Sequence, residues 1–412
     1  MQAAENKLGM NKQGVTVLIT GAIMQLFLGI LYIWSVFVSP GSGLGVSQVY
    51  GWPIDSVKLT SSFMLCFFVV GILTGGKLHL KIGCEKVVLG GGLLLSAGML
   101  STAFLPAAAA WLMYITYGII GGFGVGAAYN AIICAVQKWY PQRRGFATGV
   151  VVCAFGFSTV IFAPLIETLI ARFELRNTFM ILSAVYFTAT LILFRFIRLP
   201  DESAQSAAAN PATAALLEKK QYTVSEAIRT KEFYFITLSL MVATATFFIL
   251  NPSFKTYAAQ RNAQDFGLII VMMTGVANAC GRLVVPLLSD KIGREKAALT
   301  IILITSICAL LLCFAQSFLF IAAVLLTAFC FGGLPGLYAV FASDYFGIKN
   351  AGANYGAIMM GFALSALTFP MFIGMIQNDI ARFVTLSVMA AFGVVLMILL
   401  ILLKKKSEVS HA

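Results

Sequence analysis

Charge is what this chain has least of. Asp, Glu, Lys and Arg make up 11% of its 412 residues, against 60% hydrophobic, where soluble chains carry roughly 25% charge. That excludes a water-facing surface over most of the chain. Histidine is nearly absent: His79 and His411 are the only two. Both are expected on the cytoplasmic side, which leaves no buried imidazole to relay protons. The eight cysteines show no C-x-x-C spacing. Cys84 is expected in a loop and the other seven inside apolar runs, as packing residues rather than disulfides or metal ligands. No metal-ligand cluster, nucleophile triad or G-K-[ST] phosphate loop occurs, so no cofactor and no enzymatic reaction are expected. The formal charge of +12 does not indicate nucleic acid, because the Lys and Arg residues sit in short loops without an interleaved aromatic stripe.

What fills the chain is apolar runs about 20 residues long, the length that crosses a bilayer as a helix. Inside lipid only helices or closed barrels satisfy every backbone group, and the runs do not alternate, so the expectation is an all-α polytopic membrane protein. Twelve helices are expected, near 15–38, 57–78, 86–105, 110–137, 144–168, 176–196, 232–254, 263–288, 296–315, 318–341, 351–376 and 381–403. The first run is too long for a signal-peptide core and is read as a retained span. The one long polar stretch, Leu199 to Lys231, contains the low-complexity SAQSAAANPATAA. It separates six helices from six, giving an N-terminal half over 1–198, a linker over 199–231 and a C-terminal half over 232–412, with a short interfacial helix at Val224–Thr230. With the N-terminus inside, 21 Lys and Arg residues face the cytoplasm and six face outward. That bias places both termini in the cytoplasm, the membrane being a bacterial inner membrane.

The two halves repeat. Leu78-x-x-Lys81-Ile82-Gly83-x-Glu85-Lys86 returns 210 positions later as Leu288-x-x-Lys291-Ile292-Gly293-x-Glu295-Lys296, each copy following the second helix of its half. Glycine permits the tight turn, Asp290 can cap an adjoining helix, and Lys81, Lys291 and Arg294 hold the loops at an anionic leaflet. The first copy has Leu80 where the second has Asp290. These are conformational residues, not substrate ligands.

Leu288-Ser289-Asp290-Lys291-Ile292-Gly293-Arg294 resembles the loop between the second and third helices of each half in the major facilitator superfamily, whose fold is two pseudo-symmetric six-helix halves. Within it the chain resembles the oxalate/formate antiporter group and related bacterial monocarboxylate carriers. The resemblance rests on Tyr32-Ile33-Trp34-Ser35, Lys138-Trp139-Tyr140-Pro141-Gln142-Arg143-Arg144-Gly145, Asn278-x-x-x-Arg282, Ser343-Asp344-Tyr345-Phe346-Gly347 and Asn354-Tyr355-Gly356. It implies a secondary transporter that rocks around one central site and carries a small carboxylate anion, with or without a proton, as a lipid-embedded monomer.

Arg282 falls about 12 Å inside the cytoplasmic end of its helix at 1.5 Å per residue. A guanidinium there stays charged and needs a cavity or a partner; no Asp or Glu lies at comparable depth in another helix, and Glu167 is at an external end. Its fork suits a carboxylate, and the resemblance gives the matching arginine that role. Asn278, one turn earlier on the same face, either orients Arg282, bonds a substrate oxygen, or packs between helices. The resemblance adds Tyr129 as a cavity-lining tyrosine and Phe155 where the oxalate carrier has a tyrosine. Tyr32 is similarly placed but nearer the outside, Tyr338 lies deep enough to reach the cavity, and Gln25 lies near the middle of the first helix, although packing is the competing reading for each. Phe362 matches the position of a second cation, a lysine, in the oxalate exchanger. One cation with an apolar wall suits a monoanion, so formate, acetate, lactate or pyruvate is expected ahead of oxalate. The rivals are a dicarboxylate exchanger and a non-transporting receptor on the same fold, and no room is left for a signalling domain.

Overall fold

A computed structural model describes residues 12–38, 44–200, 220–251, 257, 260, 261 and 267–411. The side chains at 32, 35, 54, 55, 58, 267–272, 374 and 406–411 lie outside that description. Helix α1 is Lys12–Leu28, continued by a tighter turn at Gly29–Ile33 and by Trp34–Val38. Then come α2 (Ile54–Ile82), α3 (Cys84–Ala103) and α4 (Gly122–Trp139), the last entered through a π-helical stretch, Tyr114–Gly121. A 50-residue helix, Arg144–Leu193, follows; it breaks at Glu174, where φ is 64°, and its arms are α5 and α6. The remainder are α7 (Lys231–Leu250), α8 (Gly267–Ile292), α9 (Arg294–Leu311), α10 (Ser317–Phe346), α11 (Ala351–Gly374) and α12 (Asp379–His411).

Among the described residues, helix is found within each of the twelve expected ranges. Among the described residues, nine stretches are long and apolar enough to cross a membrane. One of them, Arg144–Phe196, runs for 53 residues, enough for two spans. The loop expected between 168 and 176 is reduced to Glu174 alone. The residues before it, Leu169-Ile170-Ala171-Arg172-Phe173, include no Gly or Pro to stop the helix.

The helices pack in two groups. Helix α2 lies on α4, α3 on α4, and α1 on the α5–α6 run; α8 lies on α10, α7 on α11 and α12, and α9 on α12. The groups meet where α2 crosses α11 and where the α5–α6 run crosses α8. Missing side chains permit both crossings. A Cβ at Gly76 of α2 would overlap the Gly352 carbonyl of α11, and one at Gly149 of α5 would come within 2.9 Å of the Leu283 carbonyl. The two repeated loops share a backbone as well as a sequence: φ is 90° at Gly83 and 94° at Gly293, a conformation that favours glycine.

Two expectations about the α2–α3 turn fail. His79 is not at the surface but buried, with its Cε1 3.2 Å from where a Gly352 Cβ would stand. Helix α2 runs past the expected end at 78 to Ile82, and α11 covers its last turn. Cys84 is not in a loop: the turn is Gly83 alone, so Cys84 opens α3 and is fully buried. The short helix expected at Val224–Thr230 is present over Val224–Ala227, a single turn closed by a Thr223/Glu226 capping box. The Thr223 N–H donates to the Glu226 carboxylate and holds it below its ordinary range.

A Cβ at Gly352 would also crowd Cys134 Sγ, whereas one at Gly90 of α3 would meet nothing within 4 Å. Gly352→Val is therefore expected to lower unfolding stability by about 1–3 kcal/mol, with Gly90→Val nearly silent. Equal shifts in the thermal midpoint would mean that the α2–α11 crossing is not a tight contact.

Candidate functional site

Helix α8 carries Asn278 and Arg282 one turn apart, and Arg282 Nε donates to Asn278 Oδ1 at 2.8 Å. The arginine is 1% exposed. Its guanidinium lies over the ring of Phe155 from α5, 5.6 Å from the centroid, within cation–π range. Gly156 makes the room: a Cβ there would stand 2.8 Å from Arg282 Cδ. An aromatic wall continues from Phe155, whose ring meets Tyr129 of α4 edge-on at 5.0 Å and Phe68 of α2 at 6.0 Å. Behind it stands Gln25 of α1, fully buried, with Nε2 donating to the Tyr129 carbonyl at 3.0 Å.

Five of the expected residues are thus linked by contacts: Arg282, Asn278, Phe155, Tyr129 and Gln25. Two others have other neighbours. The Tyr338 hydroxyl shares a 2.8 Å hydrogen bond with Ser239 of α7. Phe362 packs against Phe248 at 5.0 Å and Phe331 at 5.8 Å, and Phe331 stacks on Phe247. The two clusters approach through α10: Gly332, next to Phe331, lies against the backbone of Asn278. The Tyr32 side chain is outside the described residues. A cavity of about 170 Å³ opens elsewhere, among Tyr222, Thr230, Glu232, Tyr345, Phe346 and Lys404, and includes none of the expected site residues.

At the repeat-loop end the two helix groups are joined by charge. Asp290, at the end of α8, accepts the backbone N–H groups of Gly145 (3.1 Å) and Phe146 (2.9 Å) at the start of α5. It therefore does cap a helix, but one in the other group of six. Arg294 pairs with Asp290 and with Asp344 of α10, and Asp344 pairs with Arg144. Neutral bonds flank this cluster. Asn130 Nδ2 donates to the carbonyls of Ile72 and Gly352 at 2.7 Å, and Ser343 donates to Gln137. Lys81 and Lys291 stay exposed and take no described part. Sequence reasoning missed Arg144 and Asp344 as partners. Their signal was opposite charge at matching places, Arg144 at the start of α5 just after the fourth helix of the first six and Asp344 in the last turn of α10, the fourth of the second.

The description "Major Facilitator Superfamily" matches residues 17–370 and again 236–411. The chain belongs to that superfamily. It is 26% identical over 354 residues to the uncharacterized MFS-type transporter YhjX of Escherichia coli (strain K12), covering 85% of each chain. It is 24% identical over 355 residues to the oxalate:formate antiporter of Oxalobacter formigenes, covering 81% of this chain and 78% of that one. Its fold superposes on the transporter FucP in the outward conformation with a TM-score of 0.69 at 13% identity, over 94% of this chain and 99% of that one. The protein is accordingly a multi-pass membrane transporter of the superfamily.

Asp344→Asn would leave Arg144 and Arg294 to share Asp290. Unfolding stability is expected to fall by about 1–3 kcal/mol, and Arg144→Gln should then cost less in the Asp344→Asn background than alone. Equal costs in the two backgrounds would show that the pair is uncoupled.

Proposed function

We propose that the protein is a secondary transporter of small monocarboxylate anions, of the lactate, pyruvate, formate or acetate type, and that Arg282 holds the carboxylate. The observation that carries this is a guanidinium 1% exposed where α8 crosses α5. Arginine cannot shed its proton, and a permanent charge at that depth is costly unless an anion answers it. Its planar fork matches a carboxylate bidentately. Asn278 fixes one edge of the fork through Nε. Phe155 and Tyr129 form an apolar floor suited to a one- to three-carbon acid.

The two bodies are residues 1–198 and 232–412, joined by the linker 199–231, with both termini in the cytoplasm of a bacterial inner membrane. They rock about the site in alternation. The Asp290, Arg294, Arg144 and Asp344 cluster would then latch the cytoplasmic side shut. A bound monocarboxylate neutralises Arg282, so the loaded site can close and desolvate. The empty carrier would have to close over this cation without the substrate's negative charge and so returns slowly, which favours anion exchange or proton symport over uniport. Exchange of oxalate is the second reading, favoured by the name of the Oxalobacter relative. It calls for another cation where Phe362 sits in an aromatic cluster.

Purified protein in liposomes should take up labelled lactate, pyruvate, formate or acetate faster than oxalate, and Arg282→Ala should lower that uptake at least about 100-fold, the order expected when a buried charge pair is broken. Phe362→Lys should raise oxalate uptake. Faster oxalate than monocarboxylate transport by the unaltered protein, or full activity in Arg282→Ala, would refute the assignment.

A further inference from the structure

Gln25 has an atom that the carboxylate reading does not use. Its side chain is fully buried in α1, and Nε2 is committed to the Tyr129 carbonyl. Oε1 has no hydrogen-bond partner among the described residues. The bond from Nε2 fixes the amide: turning it over would set two oxygens against each other, so it is the acceptor Oε1 that is left unbonded. A buried acceptor left unmade is costly and marks a place where a donor arrives. The neighbouring elements point to the same place. Gly29, one turn further along α1, would press a Cβ onto the Phe155 carbonyl, and the Phe155 ring lies between Tyr129 and the Arg282 guanidinium. Arg282, Asn278 and the Gln25 amide are thus linked through the Phe155–Tyr129 pair. A carboxylate brings only acceptors; a hydroxyl on the same short chain brings a donor.

We propose that Gln25 Oε1 accepts a hydrogen bond from a substrate hydroxyl, so that the preferred substrates are short hydroxy monocarboxylates, and that Gln25 sets this preference. The proposal rests on the carboxylate reading of Arg282. A site built to bond a hydroxyl rejects the analogue lacking it, because its own polar atom is then stranded.

The test is competition for uptake in liposomes by lactate, 3-hydroxypropionate, pyruvate and propionate, four acids of one chain length. The better hydroxy acid should compete about tenfold more strongly than propionate and pyruvate, equivalent to about 1.4 kcal/mol. In Gln25→Met, which keeps length and removes the acceptor, the four should converge to within about twofold. Gln25→Glu, which keeps the acceptor, should retain a preference for a hydroxyl, and this separates a lost acceptor from a damaged fold. Propionate or pyruvate matching both hydroxy acids in the unaltered protein would overturn the proposal and leave the carboxylate reading standing. So would a hydroxyl preference that persists in Gln25→Met. Absence of uptake or competition by any monocarboxylate would overturn both.

Discussion

The guanidinium of Arg282 is a charge that cannot be switched off, set 1% exposed among apolar helices. The surrounding chain is arranged to tolerate it. Asn278, one turn earlier on α8, turns its oxygen to Nε. Phe155 offers its ring face, and Gly156 gives up a side chain so that the arginine stem can lie flat against α5. Such contacts reduce the cost of burying the charge. In the proposed account, an anion binding at this guanidinium and closure of the bundle are one event.

The opposite electrostatic solution appears at the repeat-loop end. There Arg144 and Arg294 meet Asp290 and Asp344 directly, and Asp290 also takes two free N–H groups at the start of α5. Charge at this end is compensated within the protein, so this contact between the two groups of helices is self-sufficient. In the proposed alternating-access cycle this cluster is the latch and Arg282 the centre that the ligand engages.

Much of this was legible in the sequence because membrane spans announce themselves by length, and a duplicated loop by its spacing. The glycines at 83 and 293 were found as a repeat and share their left-handed backbone. Asn278 and Arg282 were found because helical periodicity places i and i+4 together. What escaped needed tertiary knowledge. The partners of Asp290 lie at Gly145 and Phe146, far along the chain, and no local pattern links them. His79 and Cys84 read as surface residues because the turn was drawn too long; a single glycine sufficed. Tyr338 and Phe362 are buried as expected, but their contacts with Ser239, Phe248 and Phe331 could not be read from depth along a helix, which does not say which face a side chain takes. Gln25 was noticed only as a polar residue in an apolar run, and its anchoring to a backbone carbonyl of α4 has no sequence signature.

The central claim is that a substrate carboxylate sits on Arg282. Solid-state NMR dipolar recoupling between carboxyl-13C lactate and protein labelled with 15N-guanidino arginine measures it without a transport assay. The account predicts a carbon–nitrogen distance of about 4 Å, that of a bidentate carboxylate–guanidinium pair, and loss of the coupling in Arg282→Lys. Bound lactate with no such coupling, or a coupling unchanged in Arg282→Lys, would contradict it.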